Sequence, residues 1–262
     1  MTATIEKSDV TKRLRAVGAA REFGILIALL LVIVAATIAN PNFLFSSDGW
    51  RDLLLTPSIL VLLAVGQAIV IITRNVDLSV GSVLGLTAYL TGRLFIDIPG
   101  IPIIEVFVIA VAGWLMKNTR GGREFYAIGS DPDAAELYGL PVTRRLLTAF
   151  VLSGALAGLG GVLYAARYGT ISSQAGSGWE LDAVGAAVIG GVAIFGGSGT
   201  VWGAAIGAVL LLTINRALPI LGIPDFWQRA VVGALIIGAI VLDRVLALRQ
   251  RRKLLEARED DS

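Results

Sequence analysis

Asp77 is the residue whose chemistry stands out first. It lies between apolar stretches, after Leu53 to Thr73 and before Leu78, with Arg74, Asn75 and Ser79 as its nearest polar neighbours. A charged side chain at a membrane-helix centre costs roughly 2.5–3.5 kcal/mol on insertion scales, so an acid so placed needs a structural or a functional reason. As a structural group, Asp77 caps a helix beginning at Leu78, with Ser79 in its first turn. As a functional group, it lines a polar pathway together with Gln67, Asn75 and Ser79. Gln67, in mid-span, is suited to hydrogen-bonding either another helix or a solute hydroxyl. The chain has no cysteine and no histidine, which removes disulfides, thiolate nucleophiles, imidazole bases and the usual zinc ligands together. No G-x-x-x-x-G-K-[ST] occurs, and none of the four lysines (7, 12, 117 and 253) sits among glycines. The chain therefore has no P-loop of its own for a nucleotide. No catalytic residue, metal ligand or cofactor is expected.

A second informative stretch is polar. Within residues 117–145, Asp131-Pro132-Asp133 reads as a helix start: Asp131 caps, Pro132 suits the first turn, and Asp133 complements the helix dipole. Ala134, Ala135, Glu136 and Leu137 favour helix, and Gly139 terminates it. The spacing predicts about two turns over 132–138. A long polar connection in an otherwise economical chain is usually functional, and the small alanines suit close contact with a partner.

The elements that must position these residues are membrane helices. Of 262 residues, 55% are hydrophobic and 16% charged, with a mean hydropathy of +0.78; a soluble domain is nearer 25% charged. Uncharged runs cover 23–39, 53–73, 146–166 and 183–215, and a span needs roughly 20 apolar residues. The net charge of +2 gives no reason to expect nucleic acid as a partner; membrane lipid is the expected surroundings.

Basic residues cluster in 1–22, in 117–145 and after Leu248, and cytoplasmic segments are rich in Lys and Arg. The N-terminal cluster and following run are read as a retained first span, with no A-x-A cleavage site closing it. An even number of spans must then separate each cluster from the next. The first interval offers 23–39, 53–73, 78–92 and about 98–116. The second offers 146–166, the run 183–215 and about 226–248. One helix over 183–215 would reach about 50 Å, against a core of about 30 Å, and Gly196-Gly197-Ser198-Gly199 is a natural turn. Two short spans there make eight in all. The expected architecture is an all-α, polytopic transmembrane bundle over 23–248, with cytoplasmic tails at 1–22 and 249–262.

Glycines at four-residue spacing (Gly81/Gly85, Gly154/Gly158 and Gly199/Gly203/Gly207) let helix backbones approach in lipid. The broken regions around 73–81 and 196–199 fall in opposite halves, a pattern that points to a binding site. Trp179 and Glu180 are placed in an external loop, 167–182, either in the aromatic belt or facing an external partner.

Several stretches together carry a family resemblance: Val65-Gly66-Gln67, Asn75-Val76-Asp77-Leu78-Ser79-Val80-Gly81-Ser82, Gly122 through Leu140, Gly154 through Gly161, and Ile189-Gly190-Gly191. They resemble the permease subunits of ribose/xylose/rhamnose-type ABC importers. The pattern from Tyr126-Ala127-Ile128-Gly129 through Ala134-Ala135 to Gly139 is the most specific part, because lipid imposes nothing on a polar loop. The resemblance implies an inner-membrane transport subunit rather than an enzyme, forming the pathway for a monosaccharide. It implies that 117–145 docks on a separate ABC ATPase subunit through Arg123, Tyr126, Ala127, Gly129, Asp133, Ala134, Ala135 and Gly139. It also implies an external sugar-binding protein and a second permease copy, as a homodimer. The chain departs from the family in two places: about two helices are missing between 93 and 105, and Arg74-Asn75 stands where a glycine pair is common. Two other classes remain in view, an ion-coupled secondary transporter using Asp77, Glu105 and Asp243, and a shortened, non-transporting scaffold.

Overall fold

The computed structural model describes residues 22–94, 101–169, 171–172, 174–224, 227, 230–238 and 240–241. Among them every regular element is a helix: α1 Glu22–Ala39, then α2 Asn42–Phe45, α3 Ser47–Ile72, α4 Val80–Leu94, α5 Ile101–Asn118, α6 Arg120–Ser130, α7 Pro132–Leu137, α8 Val142–Tyr168, α9 Trp179–Ile189 and α10 Val201–Ile220. Residues 230–238 are helical as well. The all-α expectation holds.

α3 is the axis of the bundle. Its apolar window is 89% buried, whereas that of α1 is 6% buried, so α3 is surrounded by protein and α1 presents its side chains outward. A helix apolar all round belongs in such a central place. α8, α10, α9 and α5 pack around α3, and α4 packs against α8. Among the described residues, four helices are long and apolar enough to cross a membrane (Glu22–Ala39, Asp52–Ile72, Val142–Tyr168 and Val201–Ile220), with shorter apolar helices at Val80–Thr91 and Phe107–Asn118.

Glycine sets the closest approaches. A Cβ at Gly161 of α8 would collide with Thr87 and with the Leu84 carbonyl of α4. Gly203 and Gly207 of α10 admit the backbone of Gly190 and Ala186 at the end of α9. Gly154, grouped with them by spacing, has open space beside it. Small residues here replace the hydrophobic drive that lipid does not supply.

Two regions differ from the sequence expectation. The first is 117–145, expected as a loop carrying one short helix, which is almost wholly helical. Thr119 accepts a hydrogen bond from the Gly122 N–H at 3.0 Å and starts α6. Phe125 and Ile128 turn into the core while Arg123 and Ala127 stay outside. That apolar stripe is only one turn long, too short to read as a helical period. The second is 183–215, expected as two spans meeting at 196–199. The chain instead leaves helix at Gly190 and resumes at Val201. The 11 residues of α9 rise only about 16 Å, half of a hydrocarbon core. The tails at 1–21 and 249–262, the side chain of Glu105, and most of 226–248 with Asp243 lie outside the described residues.

Candidate functional site

Both chain breaks and the polar segment meet at one end of the bundle. α3 ends at Ile72, with Thr73 donating its hydroxyl to the Val70 carbonyl at 2.7 Å. Arg74 then takes a left-handed conformation, φ 64°, unlike any other non-glycine residue among those described. This conformation favours glycine. Its guanidinium donates through Nε to the Gly129 carbonyl and through Nη2 to the Ser130 carbonyl. Those are orphan carbonyls at the C-terminus of α6, where a cation also complements the dipole. From the other break, Gly197 N–H donates to the Ile72 carbonyl at 2.8 Å. Tyr126 of α6 donates its hydroxyl to the Gly199 carbonyl at 3.0 Å, and burial pushes its phenol up, so it remains a donor. Gly129 lies where these chains cross: a Cβ there would collide with the Ile72 carbonyl and come within 2.6 Å of Gly197 N.

Glu124 fastens α6 on its other side. It receives Arg120 Nε at 2.8 Å and Arg145 Nε of α8. Its side chain is 7% exposed. The Arg145 hydrogen bond, helped by Arg120, holds the carboxyl below its ordinary value against the opposing effect of burial.

α7 follows directly. Asp131 accepts from the Ala134 N–H at 3.0 Å, as expected of a cap. Gly139, φ 75°, ends the helix by donating its N–H to the Glu136 carbonyl. Of the residues assigned to partner docking, Arg123, Ala127, Asp133 and Gly139 are exposed, Tyr126 and Ala134 half-buried, and Gly129 and Ala135 buried within the chain. Sequence reasoning missed Leu137 and Tyr138, each 88% exposed. Two large apolar groups in sequence at a helix end are the signal for them, beside alanines that suit close contact equally well.

The polar group around Asp77 is an internal clasp. Gln67 is fully buried, and its Nε2 donates to the Asp77 carbonyl at 2.6 Å while its Oε1 accepts from the Asp77 N–H at 3.3 Å. Asp77 Oδ1 accepts from the Ser79 N–H at 3.0 Å and from its hydroxyl at 2.6 Å. Asn75 stands apart and donates to the Thr73 carbonyl at 2.8 Å. Helix α4 starts at Val80, so Asp77 shapes the turn ahead of it. Trp179, expected in an external loop, opens α9 instead and meets Tyr164 edge-on at 5.8 Å.

Comparison with known proteins bears on this arrangement directly. The family described as the permease component of the branched-chain amino acid transport system matches residues 92–240, which include the polar segment and the second break. The chain belongs to this permease family. Among curated proteins it is similar to the autoinducer 2 import system permease protein LsrC of Enterobacter sp. (strain 638), 28% identical over 313 residues, 90% of this chain and 91% of the relative. It is also similar to the proteins of that name from Klebsiella pneumoniae (28% identical; 88% and 90% covered) and Yersinia pseudotuberculosis (28%; 89% and 88%). No solved structure matches it. The permease is thus a transport component and a multi-pass inner-membrane protein, and the resemblance to ABC importer permeases holds at that level. An alignment of 313 positions exceeds the 262 residues of the permease, so the relatives contain segments that this chain lacks.

Proposed function

We propose that the chain is the pathway-forming subunit of an ATP-driven importer for a small sugar-like solute, driven by a separate ATPase that docks on α7. The observation that carries this reading is the pairing of an exposed contact with a rigid transmission. Leu137 and Tyr138 stand out from the protein, while α6, one residue before α7, is fastened to both chain breaks through Gly129, Tyr126 and Arg74. Exposed large apolar groups mark protein contacts. A push on α7 therefore reaches the ends of α3 and the 190–200 break without crossing a flexible linker.

In this reading α7 lies in the cytoplasm, in agreement with the basic residues around it. A second copy of the chain completes the pathway, and an external binding protein delivers the solute. Alternating access requires states that bind the ATPase differently, and the α6–α7 unit is where that difference is felt. An ion-coupled mechanism is supported less well, because Asp77 serves the turn before α4 and Gln67 holds its backbone rather than lining a cavity.

The test is co-expression with the ATPase and binding protein of the same system, with ATP hydrolysis measured in lipid with and without sugar. Leu137→Asp and Tyr138→Asp are expected to abolish stimulated hydrolysis while the chain stays folded. Stimulation unaffected by both variants would overturn the docking assignment, and failure of the unaltered chain to assemble would overturn the importer reading. These variants separate docking from folding better than a change at Ala135, which is 4% exposed inside the chain's own packing.

A further inference from the structure

A cavity of about 420 Å³ opens between the first half of α4 and the segment leading into α9, a volume in the range of small-molecule sites, roughly 300–1,000 Å³. Ser82 and Tyr89 line it from α4, and Ser172, Ser177 and Glu180 line it from the other side. None of these was singled out as a pathway residue from sequence, and the clasp around Asp77 lies outside it. Ser82 and Tyr89 are seven residues apart, two helical turns, and so share one face. Glycine makes the wall possible: a Cβ at Gly81 would collide with Glu180 and one at Gly85 with the Ala175 carbonyl. The 175–180 backbone is thereby laid directly on α4.

The cavity sits at half the height of the bundle. Gly160 of α8 lies against Leu84, just after Gly81, and against Leu63 and Ile59 near the middle of α3. Hydroxyls and a carboxylate at that height are disfavoured against lipid and favoured against water. Among the described residues Glu180 takes part in no hydrogen bond or ion pair, and it lines the cavity.

We infer that this cavity is a solute subsite for a neutral polyhydroxylated molecule of monosaccharide size, with Glu180 accepting hydrogen bonds from adjacent hydroxyls. Ser82, Ser172 and Ser177 both donate and accept, and Tyr89 adds an aromatic side chain to the wall. No lysine or arginine lines the cavity, so a carboxylate-bearing solute such as an amino acid finds no counter-charge, and an inorganic anion is repelled. A lone cation would use Glu180 but leave the hydroxyl lining without purpose. The inference rests on the importer reading for its biological sense, and its test stands apart.

The chain in lipid nanodiscs is titrated with D-ribose, D-xylose, L-leucine and choline, and bound ligand is read by saturation-transfer NMR. The sugars are expected to bind in the millimolar range, Glu180→Gln to weaken them about tenfold, and Ser177→Ala to weaken them less. Unfolding temperatures of both variants should match the parent; if Glu180→Gln fails to fold, Ser177→Ala and Ser82→Ala carry the test in its place. Preference for leucine or choline overturns the subsite, as does absence of sugar binding to the parent, or sugar binding unaltered in the variants. ATPase assembly is measured on the same preparations. Lost assembly with retained sugar binding defeats the importer reading alone, whereas intact assembly with unaltered binding in Glu180→Gln defeats the subsite alone.

Discussion

The two interruptions of the bundle are built differently. The break at 73–79 is held by side chains: Gln67 clasps the Asp77 backbone, Asp77 gathers Ser79, and Arg74 reaches across to α6. The break at 190–200 is held mainly by backbone against backbone, with the Tyr126 hydroxyl on the Gly199 carbonyl as an added side-chain bond from α6. Gly190 packs on Gly203, Gly199 on Val192, and Ala193 N–H donates to the Ser198 carbonyl at 3.0 Å. Side-chain clasps can be removed one bond at a time. A close backbone approach has no such gradation, because one added carbon has nowhere to go. Thus the second break is the steric anchor and the first is the adjustable one, and they touch where Gly197 meets Ile72.

Substitution at the crossing should break both at once. Gly129→Val is expected to cost about 3 kcal/mol or more, since overpacking against backbone cannot be relieved by a rotamer change; the measurement is the unfolding midpoint in lipid. Stability close to that of the parent would mean that the two breaks do not meet at Gly129.

At the adjustable break, Gln67→Leu strands the buried Asp77 carbonyl and N–H. The expected loss is about 2 kcal/mol, read in the same assay, with assembly on the ATPase retained if the clasp is separate from α7.

Glu124 sharpens the comparison because its effect has a pH signature. Its carboxyl is held below its ordinary value of 4.5 by Arg145 and Arg120. A lowered pKa in the folded protein gives stability that is fully present above the unfolded value and lost as pH falls through the folded one. The parent should therefore lose stability below about pH 4.5. Glu124→Gln should show a smaller decline over that range and an overall loss of about 1 kcal/mol at neutral pH. Equal pH profiles would remove Glu124 from the fastening of α6 to α8.

Arg74 gives the smallest effect. Arg74→Gly relieves a left-handed backbone worth about 1 kcal/mol but removes two hydrogen bonds to α6, so the net change should stay within about 1 kcal/mol. Arg74→Ala keeps the backbone strain and loses the bonds, and should be the less stable of the two by about 1 kcal/mol. The reverse order would show that the backbone at position 74 carries no left-handed strain, and an Arg74→Ala protein as stable as the parent would show that the guanidinium contributes nothing to the junction.

Much of the fold was legible because lipid writes it into composition. The apolar runs at 23–39, 53–73 and 146–166 correspond to α1, α3 and α8, and the Asp131 cap with the Gly139 stop fixed the ends of α7 nearly to the residue. The family, too, could be read from the polar segment, where no demand of the membrane obscures the pattern. Arg74 departs from the family pattern, but the reason is not legible in sequence, because a guanidinium that reaches 55 residues ahead leaves no local trace.

The candidate site was much less legible. Asp77 and Gln67 have the residue types of a pathway, yet Gln67 is spent on the Asp77 backbone and the Asp77 carboxylate on Ser79. Glu180 and Ser177 are polar too but line a cavity, and hydropathy cannot tell the two cases apart. What the sequence determined alone was whatever depends on solvent and on nearest neighbours: helices long enough for the membrane, caps, turns, and the absence of a nucleotide loop. Only the tertiary structure decided which polar groups are spent on the fold and which remain for a solute, because that follows from which helices meet. Those meetings are set by glycines whose partners lie far along the chain.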